Sequence, residues 1–109
     1  MQQDINAQMR AMVGAHGARH ARLAVIKLYV KLELGRYGYF VVDEIDEPTL
    51  TVSSNGKLEW WGQIGDRIGR LVVLVSVPIP GHDLLAADAH GLARGLADEL
   101  VYQYRLRFQ

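Results

Sequence analysis

The segment Arg70–Val77 has the most continuous hydrophobic pattern in the chain. It reads Arg-Leu-Val-Val-Leu-Val-Ser-Val and is followed by Pro78. Because the run has strand length, is rich in β-branched residues and lacks polar alternation, it favours a strand that is covered on both faces. We therefore predict an inner strand of a sheet, with helices on at least one face and neighbouring strands that supply its hydrogen-bond partners.

A second apolar stretch runs from Ala24 to Leu34, and its two alternatives are a helix and a strand. On a helix its apolar side chains would spread almost all round, whereas a strand separates them cleanly into two faces. One face would carry Ile26, Leu28, Val30, Leu32 and Leu34, and the other Lys27, Tyr29, Lys31 and Glu33. The alternation predicts a half-buried strand, which a hairpin at Gly35–Gly38 would connect to a return strand over residues 39–43.

The clearest local signal is a second hairpin centred on Asn55-Gly56. Residues 49–54 alternate apolar and hydroxyl side chains, and residues 57–64 would form the returning strand. Asn-Gly is typical of a type I′ turn, in which both central residues have positive φ. Trp60 and Trp61 would then point to opposite faces of the returning strand, so that one is in the core and the other is exposed or covered by another element.

Helices are predicted at both ends of the chain. Residues 4–21 place Ile5, Met9, Met12 and Val13 on one face, and the helix is expected to end or kink near Gly14–Gly17, with a break before Leu23. A final helix is expected from Leu84, capped by Asp83 or His82, to about Arg105. Its apolar stripe consists of Leu85, Ala89, Leu92, Ala93, Leu96, Leu100 and Tyr104.

These elements predict a single α+β domain over residues 1–109. Its order would be helix, five mainly antiparallel strands and helix, with both helices packed on one face of the sheet. The side chains expected to be buried together are Leu28, Val30, Leu71, Val73, Val75, Leu92 and Leu96.

Composition narrows the class of protein. The chain has no cysteine, which excludes disulfides and thiolate metal sites, and its apolar runs are too short to span a bilayer. The N-terminus does not resemble a signal peptide. We therefore expect a cytoplasmic globular protein with no membrane association.

Charge is unevenly distributed, although the formal net charge is zero. Residues 1–42 contain six basic and two acidic residues, whereas residues 43–47 contain four acids and no base. The basic half could contact phosphates, with tyrosines as platforms for bases, on the exposed face of the hairpin at residues 24–38. The candidate residues for binding a partner or a nucleic acid are Arg19, Arg22, Lys27, Tyr29, Lys31, Arg36, Tyr37 and Trp61.

Motifs for catalysis or cofactor binding are weak. His16 and His20 lie one helical turn apart but have no third metal ligand at a recognisable spacing. The glycines at positions 62, 65 and 69 follow a strand but match no phosphate-binding pattern and precede a strand rather than a helix. We assign no catalytic residue, no metal ligand and no cofactor; a small enzyme without a recognisable motif is the third hypothesis.

A ridge of small residues is the strongest sign of an interaction. Ala87, Gly91 and Gly95 repeat at i, i+4 spacing on the final helix, away from its leucine stripe. They would allow close approach of either the Ala7, Ala11, Ala15 ridge of the first helix or a second copy of the chain. The leading hypothesis is a small, homodimeric, non-catalytic protein-binding module that acts as an adaptor or an inhibitor of a larger partner; the alternative is a nucleic-acid-binding accessory protein.

Overall fold

The structure, a computed structural model, describes residues 2–42 and 50–108, with the side chains of the first helix described from residue 17 onward. Within these ranges the chain forms an α+β fold of two helices and a four-stranded antiparallel sheet. The elements are α1 (Gln2–Arg36), β1 (Phe40–Val42), β2 (Leu50–Val52), β3 (Lys57–Gly65), β4 (Arg70–Pro78), a short 3₁₀ helix (Pro80–His82) and α2 (Ala89–Phe108). The acidic segment at residues 43–47 and the expected extension of a strand into it lie outside the described residues.

The largest correction concerns α1, a single helix of 35 residues. Neither Gly14 nor Gly17 ends it, and the segment Ala24–Leu34 is helical rather than a strand, so the described residues form four strands instead of the predicted five. Apolar side chains do spread round this helix, as its sequence requires. Ile26 and Val30 are buried, whereas Leu28 is exposed on the opposite side. The expectation that Leu28 belongs to the core is therefore wrong.

The glycines after Leu34 end a helix rather than forming a hairpin. The N–H groups of Tyr37 and Tyr39 both donate to the carbonyl of Leu34, each at 3.0 Å, and Gly38 has a φ of 85°. Satisfying the last helical carbonyls with a glycine in the left-handed region is a common way to end a helix. The chain then enters β1 at Phe40, within the predicted return strand.

The sheet is built around β3, and this arrangement corrects the prediction for β4. One side of β3 pairs with β4 over all nine residues, and its other side pairs with β2 at residues 58–60 and β1 at residues 63–65. Among the described strands β4 pairs with β3 alone, so it is an edge strand rather than an inner one. Its sequence predicts the strand correctly but not its position in the sheet.

The second hairpin forms where it is predicted, with a different turn. Ser53 N–H donates to the carbonyl of Lys57 at 2.8 Å, which leaves a three-residue loop. Gly56 has a φ of 75°, whereas Asn55 does not have positive φ. This is the three-residue loop in which a glycine in the left-handed region completes a type I turn, not the predicted two-residue type I′ turn.

The final helix begins five residues later than predicted. Asp83 accepts bonds from the N–H groups of Leu85 and Ala86 and so stabilises a turn ahead of the helix. Asp88 then caps α2 by accepting from His90 N–H at 3.1 Å. Leu85 consequently lies outside the helix and is exposed.

Both helices cover one face of the sheet, as predicted. The core on that face includes Leu58, Trp60 and Ile64 of β3 together with Val73 and Val75 of β4. It is completed by Ile26, Val30 and Leu34 of α1 and by Leu92, Leu96, Leu100 and Tyr104 of α2. Of the remaining residues expected in the core, Leu71 is only partly buried. In the described part of the chain, no helix combines the length and apolar character needed to cross a membrane.

Candidate functional site

The face of the sheet that the helices leave uncovered is here called the outer face. Strand register assigns to it the side chains of Phe40, Val42, Thr51, Lys57, Glu59, Trp61, Gln63, Arg70, Val72, Leu74 and Ser76. An antiparallel sheet with one solvated face normally carries polar side chains there. The outer face departs from that pattern at its centre, which makes it the first candidate for a binding site.

Three large apolar side chains form the centre of the outer face. Trp61, Val72 and Leu74 are 45%, 57% and 68% exposed. Trp61 of β3 lies directly opposite Leu74 of β4, so these two side chains are cross-strand neighbours. Contiguous exposed apolar surface of this kind commonly marks an interaction site, and tryptophan is the residue most enriched in interface hot spots.

One end of the outer face is closed by an aromatic ring and a cation. Phe40 and Arg70 lie in register with Gly65 from its two sides, and the Arg70 guanidinium carbon is 5.8 Å from the centre of the Phe40 ring. A Cβ on Gly65 would lie 3.0 Å from Arg70 and 3.2 Å from Phe40. The absence of a side chain on Gly65 therefore permits this cation–π contact.

A second candidate is a cleft of about 930 Å³ between α1, the β2–β3 hairpin and the chain segment that follows β4. Two residues predicted from the sequence, Arg19 and Lys27, line it. Its apolar lining comes from Leu23, Ala24, Leu50, Val52, Leu84 and Leu85, and its further polar lining from His20, Thr51, Ser53, Ser54, His82 and Asp83. The cleft therefore combines an apolar lining with cationic side chains, which favours anionic or extended ligands over a metal.

The rim of this cleft contains a strained backbone. His82 has a φ of 56°, which is uncommon for a residue with a side chain. Its imidazole lies so close to Gly56 that any Cβ there would overlap the ring. Asp83 is adjacent, but its carboxylate accepts backbone N–H groups and acts as a turn cap. The His82–Asp83 pair is therefore a structural feature of the rim.

Arg22, Tyr29 and Arg36 of α1 contact different parts of the chain. Arg22 donates to the carbonyl of Leu85 at 2.6 Å, and the ring of Tyr29 packs at 4.8 Å from that of His90. The Glu33 side chain is buried and lies 3.5 Å from Arg36 and 3.7 Å from His90. Tyr29 and Glu33 therefore contact α2 through His90, whereas Arg22 contacts the segment that precedes α2 and Arg36 contacts Glu33 within α1. Tyr37 follows the helix and is exposed.

The helical conformation removes the premise of the nucleic-acid hypothesis. Alternation places Lys27, Tyr29 and Lys31 on one face only if the segment is a strand. On α1 the lysines and Tyr29 are divided between two flanks of the buried face, because successive residues turn by about 100°. Lys27 and Lys31 also take part in interactions of their own. The predicted basic face of a hairpin at residues 24–38 therefore does not exist.

The small-residue ridge is partly as predicted. Gly91 and Gly95 lie on α2, but Ala87 precedes the helix and is buried. The two glycines line a groove of about 290 Å³ against the end of β4. A Cβ on Gly95 would lie 3.8 Å from Val77, an ordinary contact, so packing within the chain does not demand glycine there. The side chains of the Ala7, Ala11, Ala15 ridge lie outside the described residues.

A hydrogen-bonded anchor connects the β3–β4 loop to α2. Tyr104 donates its hydroxyl to Asp66 Oδ1 at 2.5 Å and lies 2.9 Å from the carbonyl oxygen of Gly69. Burial and the neighbouring Asp66 raise the pKa of Tyr104 to about 12, and the hydroxyl holds the pKa of Asp66 below its usual value. The ring of Tyr104 also meets those of Tyr39 and Phe108. This anchor fixes the loop that leads into β4.

The sequence prediction includes Trp61 but misses its neighbours on the outer face. The apolar run predicts that Val72 and Leu74 belong to a strand covered on both faces. The strand pattern also gives no sign of an exposed apolar stripe on α1, which consists of Val25, Leu28 and Leu32. Within the described residues, no group of three histidine, aspartate or glutamate side chains is arranged to hold a metal ion. Comparison of the chain with protein-family models, curated proteins and solved structures finds no match.

Proposed function

We propose that the protein is a small non-catalytic protein-binding module, an adaptor or an inhibitor of a larger protein, and that it docks through the outer face of its sheet. The observation that carries this proposal is the exposure of Trp61, Val72 and Leu74 at the centre of a face that would ordinarily be polar. Burying three such side chains against a partner would contribute several kcal/mol, at about 25 cal/mol per Å² of apolar surface.

The arrangement of the outer face supports docking of a folded partner. The apolar centre is rigid, because β3 and β4 pair along their full nine-residue length. Polar side chains, Thr51, Glu59 and Ser76, lie towards one end, and the Phe40–Arg70 pair lies at the other. An apolar centre with a polar rim is the usual anatomy of a protein interface. Trp61 is the expected anchor residue.

The test compares capture by three forms of the protein. Wild-type protein, Trp61→Ser and the control Leu28→Ser, which changes an exposed leucine of α1, are immobilised and incubated with extract from the source cells, and bound proteins are quantified by mass spectrometry. We expect at least one protein to be captured by wild type and by Leu28→Ser and lost with Trp61→Ser. The interaction should then be reproduced with that protein in purified form.

The proposal fails if every protein captured by the wild type is captured equally by Trp61→Ser. Circular dichroism and urea unfolding establish that both variants are folded, since exposed substitutions normally change stability by no more than about 0.5 kcal/mol. A partner lost with Leu28→Ser and retained by Trp61→Ser would instead assign docking to α1.

A further inference from the structure

The edge of β4 that faces away from β3 is the structural feature least explained by a single chain. β4 has nine residues and no bulge in its register with β3. Natural edge strands are usually short, bulged, or protected by charged residues and proline. Here Arg70 and Pro78 stand only at the two ends, and the seven residues between them contain no charge.

The register identifies which backbone groups face this edge. Asp66 N–H donates to the carbonyl of Gly69 at 3.0 Å, so residues 66 and 69 form a hydrogen-bonded pair. Hydrogen-bonded and non-hydrogen-bonded pairs alternate along an antiparallel ladder. The N–H and C=O groups of Val72, Leu74 and Ser76 therefore point away from β3. Pro78 falls in the same outward set, so the β3–β4 ladder requires no donor from it.

We propose that this edge pairs with β4 of a second copy of the chain, antiparallel and across a two-fold axis close to Leu74. In this register Leu74 lies opposite Leu74 of the second copy, and Val72 lies opposite Ser76. Each of these pairs joins two residues with outward-facing groups, so every pair exchanges two backbone hydrogen bonds. The two sheets become one, and the outer faces become continuous. The inference deepens the proposed function, because it names one partner of the same module.

Helix α2 supplies the reason for choosing a second copy over another protein. It runs antiparallel to β4, with a groove at each end of the shared edge. The groove of about 290 Å³ near Pro78 is lined by Asp88, Gly91 and Gly95. The groove of about 380 Å³ near Leu71 is lined by Gln103, Leu106 and Arg107. A two-fold axis between them brings the first groove of each copy to the second groove of the other.

The two ends of the edge are complementary in charge and in shape. Asp88 of one copy would face Arg107 of the other, so opposite charges meet twice in a symmetric dimer. Tyr102 and Leu106, which are 57% and 61% exposed, protrude from the same side of α2 on which Gly91 and Gly95 leave space. Gly95 thus accommodates side chains of the second copy, which explains a glycine that packing within the chain does not require, whereas a Cβ on Gly91 would also crowd the Asp88 carboxylate of its own chain.

The experiment measures the oligomeric state of three variants by sedimentation equilibrium over a wide concentration range. The wild type should be a dimer. Leu74→Arg places two like charges opposite each other at the axis and should raise the dimer dissociation constant by about 100-fold or more. Gly95→Leu should also raise the dimer dissociation constant. The control Ile68→Arg changes an 80% exposed residue of the β3–β4 loop and should remain dimeric.

A cross-linking measurement keeps the inference testable if Leu74→Arg does not fold. Because the chain has no cysteine, a single engineered cysteine can form a disulfide only with its copy. Leu74→Cys should cross-link efficiently on mild oxidation, whereas Ile68→Cys should not. The inference is overturned by a wild type that stays monomeric at the highest concentration, or by a dimer in which Ile68→Cys cross-links and Leu74→Cys does not. If Trp61→Ser no longer captures a partner but is still a dimer, the result concerns docking through the outer face and not the dimer. The two proposals can therefore fail separately.

Discussion

The neighbouring strands β3 and β4 have the same length and pair over every residue, yet they are built differently. β3 is hydrogen-bonded on both sides, and its outer-face side chains are Lys57, Glu59, Trp61 and Gln63. β4 is bonded on one side among the described residues, and between its ends, Arg70 and Pro78, its outer-face side chains are Val72, Leu74 and Ser76. The strand with fewer neighbours has the more apolar sequence.

This difference is the reverse of what a free-standing sheet requires, since an edge strand in water normally carries protective charges. Burial among the described residues of one chain therefore does not account for the sequence of β4. The inner face of β4 packs on α2 through Val73 and Val75, whereas Val72 and Leu74 on the outer face are exposed. The proposed burial in an assembly would explain both observations, and the following predictions test each half of the comparison.

The largest expected effect separates the two faces of β3. Trp60 is fully buried, so Trp60→Ala should lower the free energy of unfolding by about 3–5 kcal/mol, because both transfer energy and packing are lost. Trp61→Ala, one residue further along the same strand, should change it by less than about 1 kcal/mol. Urea unfolding monitored by circular dichroism measures both values. Similar losses for the two variants would show that the outer face is covered within the chain.

A third variant refines this comparison. In the described part of the chain the indole N–H of Trp60 has no hydrogen-bond partner, so Trp60→Phe removes no hydrogen bond. It should cost clearly less than Trp60→Ala, because the phenyl ring retains most of the buried apolar area. A cost equal to that of Trp60→Ala would mean that the indole ring is held by more than packing.

The next effect concerns the point where β3 begins and β4 ends. Gly56 has positive φ, and a methyl group there would overlap His82, so Gly56→Ala should destabilise by more than about 2 kcal/mol. Gly81 also has positive φ but faces open space, which makes Gly81→Ala the matched control, with backbone strain alone. Thermal and urea unfolding of both variants gives the difference. Equal losses would show that the His82 side chain moves away from a methyl group at residue 56 at little cost in free energy.

A smaller effect compares the two faces of β4. Val73→Ala should destabilise by about 1–3 kcal/mol, because the methyl groups removed are buried against the helices. Val72→Ala should cost less than half as much, measured in the Leu74→Arg background so that self-association does not contribute. If Val72→Ala is the more costly of the two in that background, the assignment of faces along β4 is wrong.

How far the sequence predicts this fold depends on whether a segment's neighbours can be inferred from its own residues. The hairpin around Asn55-Gly56, the strand at Arg70–Val77 and the opposite orientations of Trp60 and Trp61 all follow from local pattern, and all three are confirmed in outline. The turn type was wrong because Gly56 alone supplies the positive φ. Local chemistry thus predicts where a turn lies better than its geometry.

The sequence-based predictions are wrong for elements that have apolar residues on two sides. The pattern of Ala24–Leu34 predicts a strand because its apolar residues would surround a helix, and on α1 they do, with Val25, Leu28 and Leu32 left exposed. The same assumption, that exposed apolar residues are avoided, made β4 an inner strand. An apolar run carries no signal that separates exposed from buried positions, so Val72 and Leu74 could not be recognised as surface residues.

The smallest expected effect is a pH dependence at the loop that joins β3 to β4. The pKa of Asp66 is lowered chiefly because Tyr104 donates a hydrogen bond to its carboxylate. Desolvation raises this pKa, and hydrogen bonds from the N–H groups of Ile68 and Gly69 lower it further. A lowered carboxyl pKa stabilises the fold above the unfolded value of 3.8, and that contribution disappears as the pH falls through the folded value. Burial raises the pKa of Tyr104 from 10.0 to about 12, so its contribution is complete below pH 10 and is lost as the pH rises towards 12.

Tyr104→Phe isolates this contribution, because it removes the hydroxyl and keeps the ring that packs against Tyr39 and Phe108. The difference in unfolding free energy between wild type and Tyr104→Phe should be greatest between about pH 5 and pH 9. It should shrink as the pH falls below 3.8 through the lowered pKa of the Asp66 carboxylate, and as the pH rises above 10 towards the Tyr104 pKa of about 12. Urea unfolding at fixed ionic strength across this range provides the measurement, and Tyr102→Phe, at an exposed tyrosine of the same helix, is the control. A difference that stays constant both as the pH falls well below 3.8 and as it rises from 10 towards 12 would mean that the hydroxyl acts through packing, and that the loop leading into β4 is held without the Asp66 hydrogen bond.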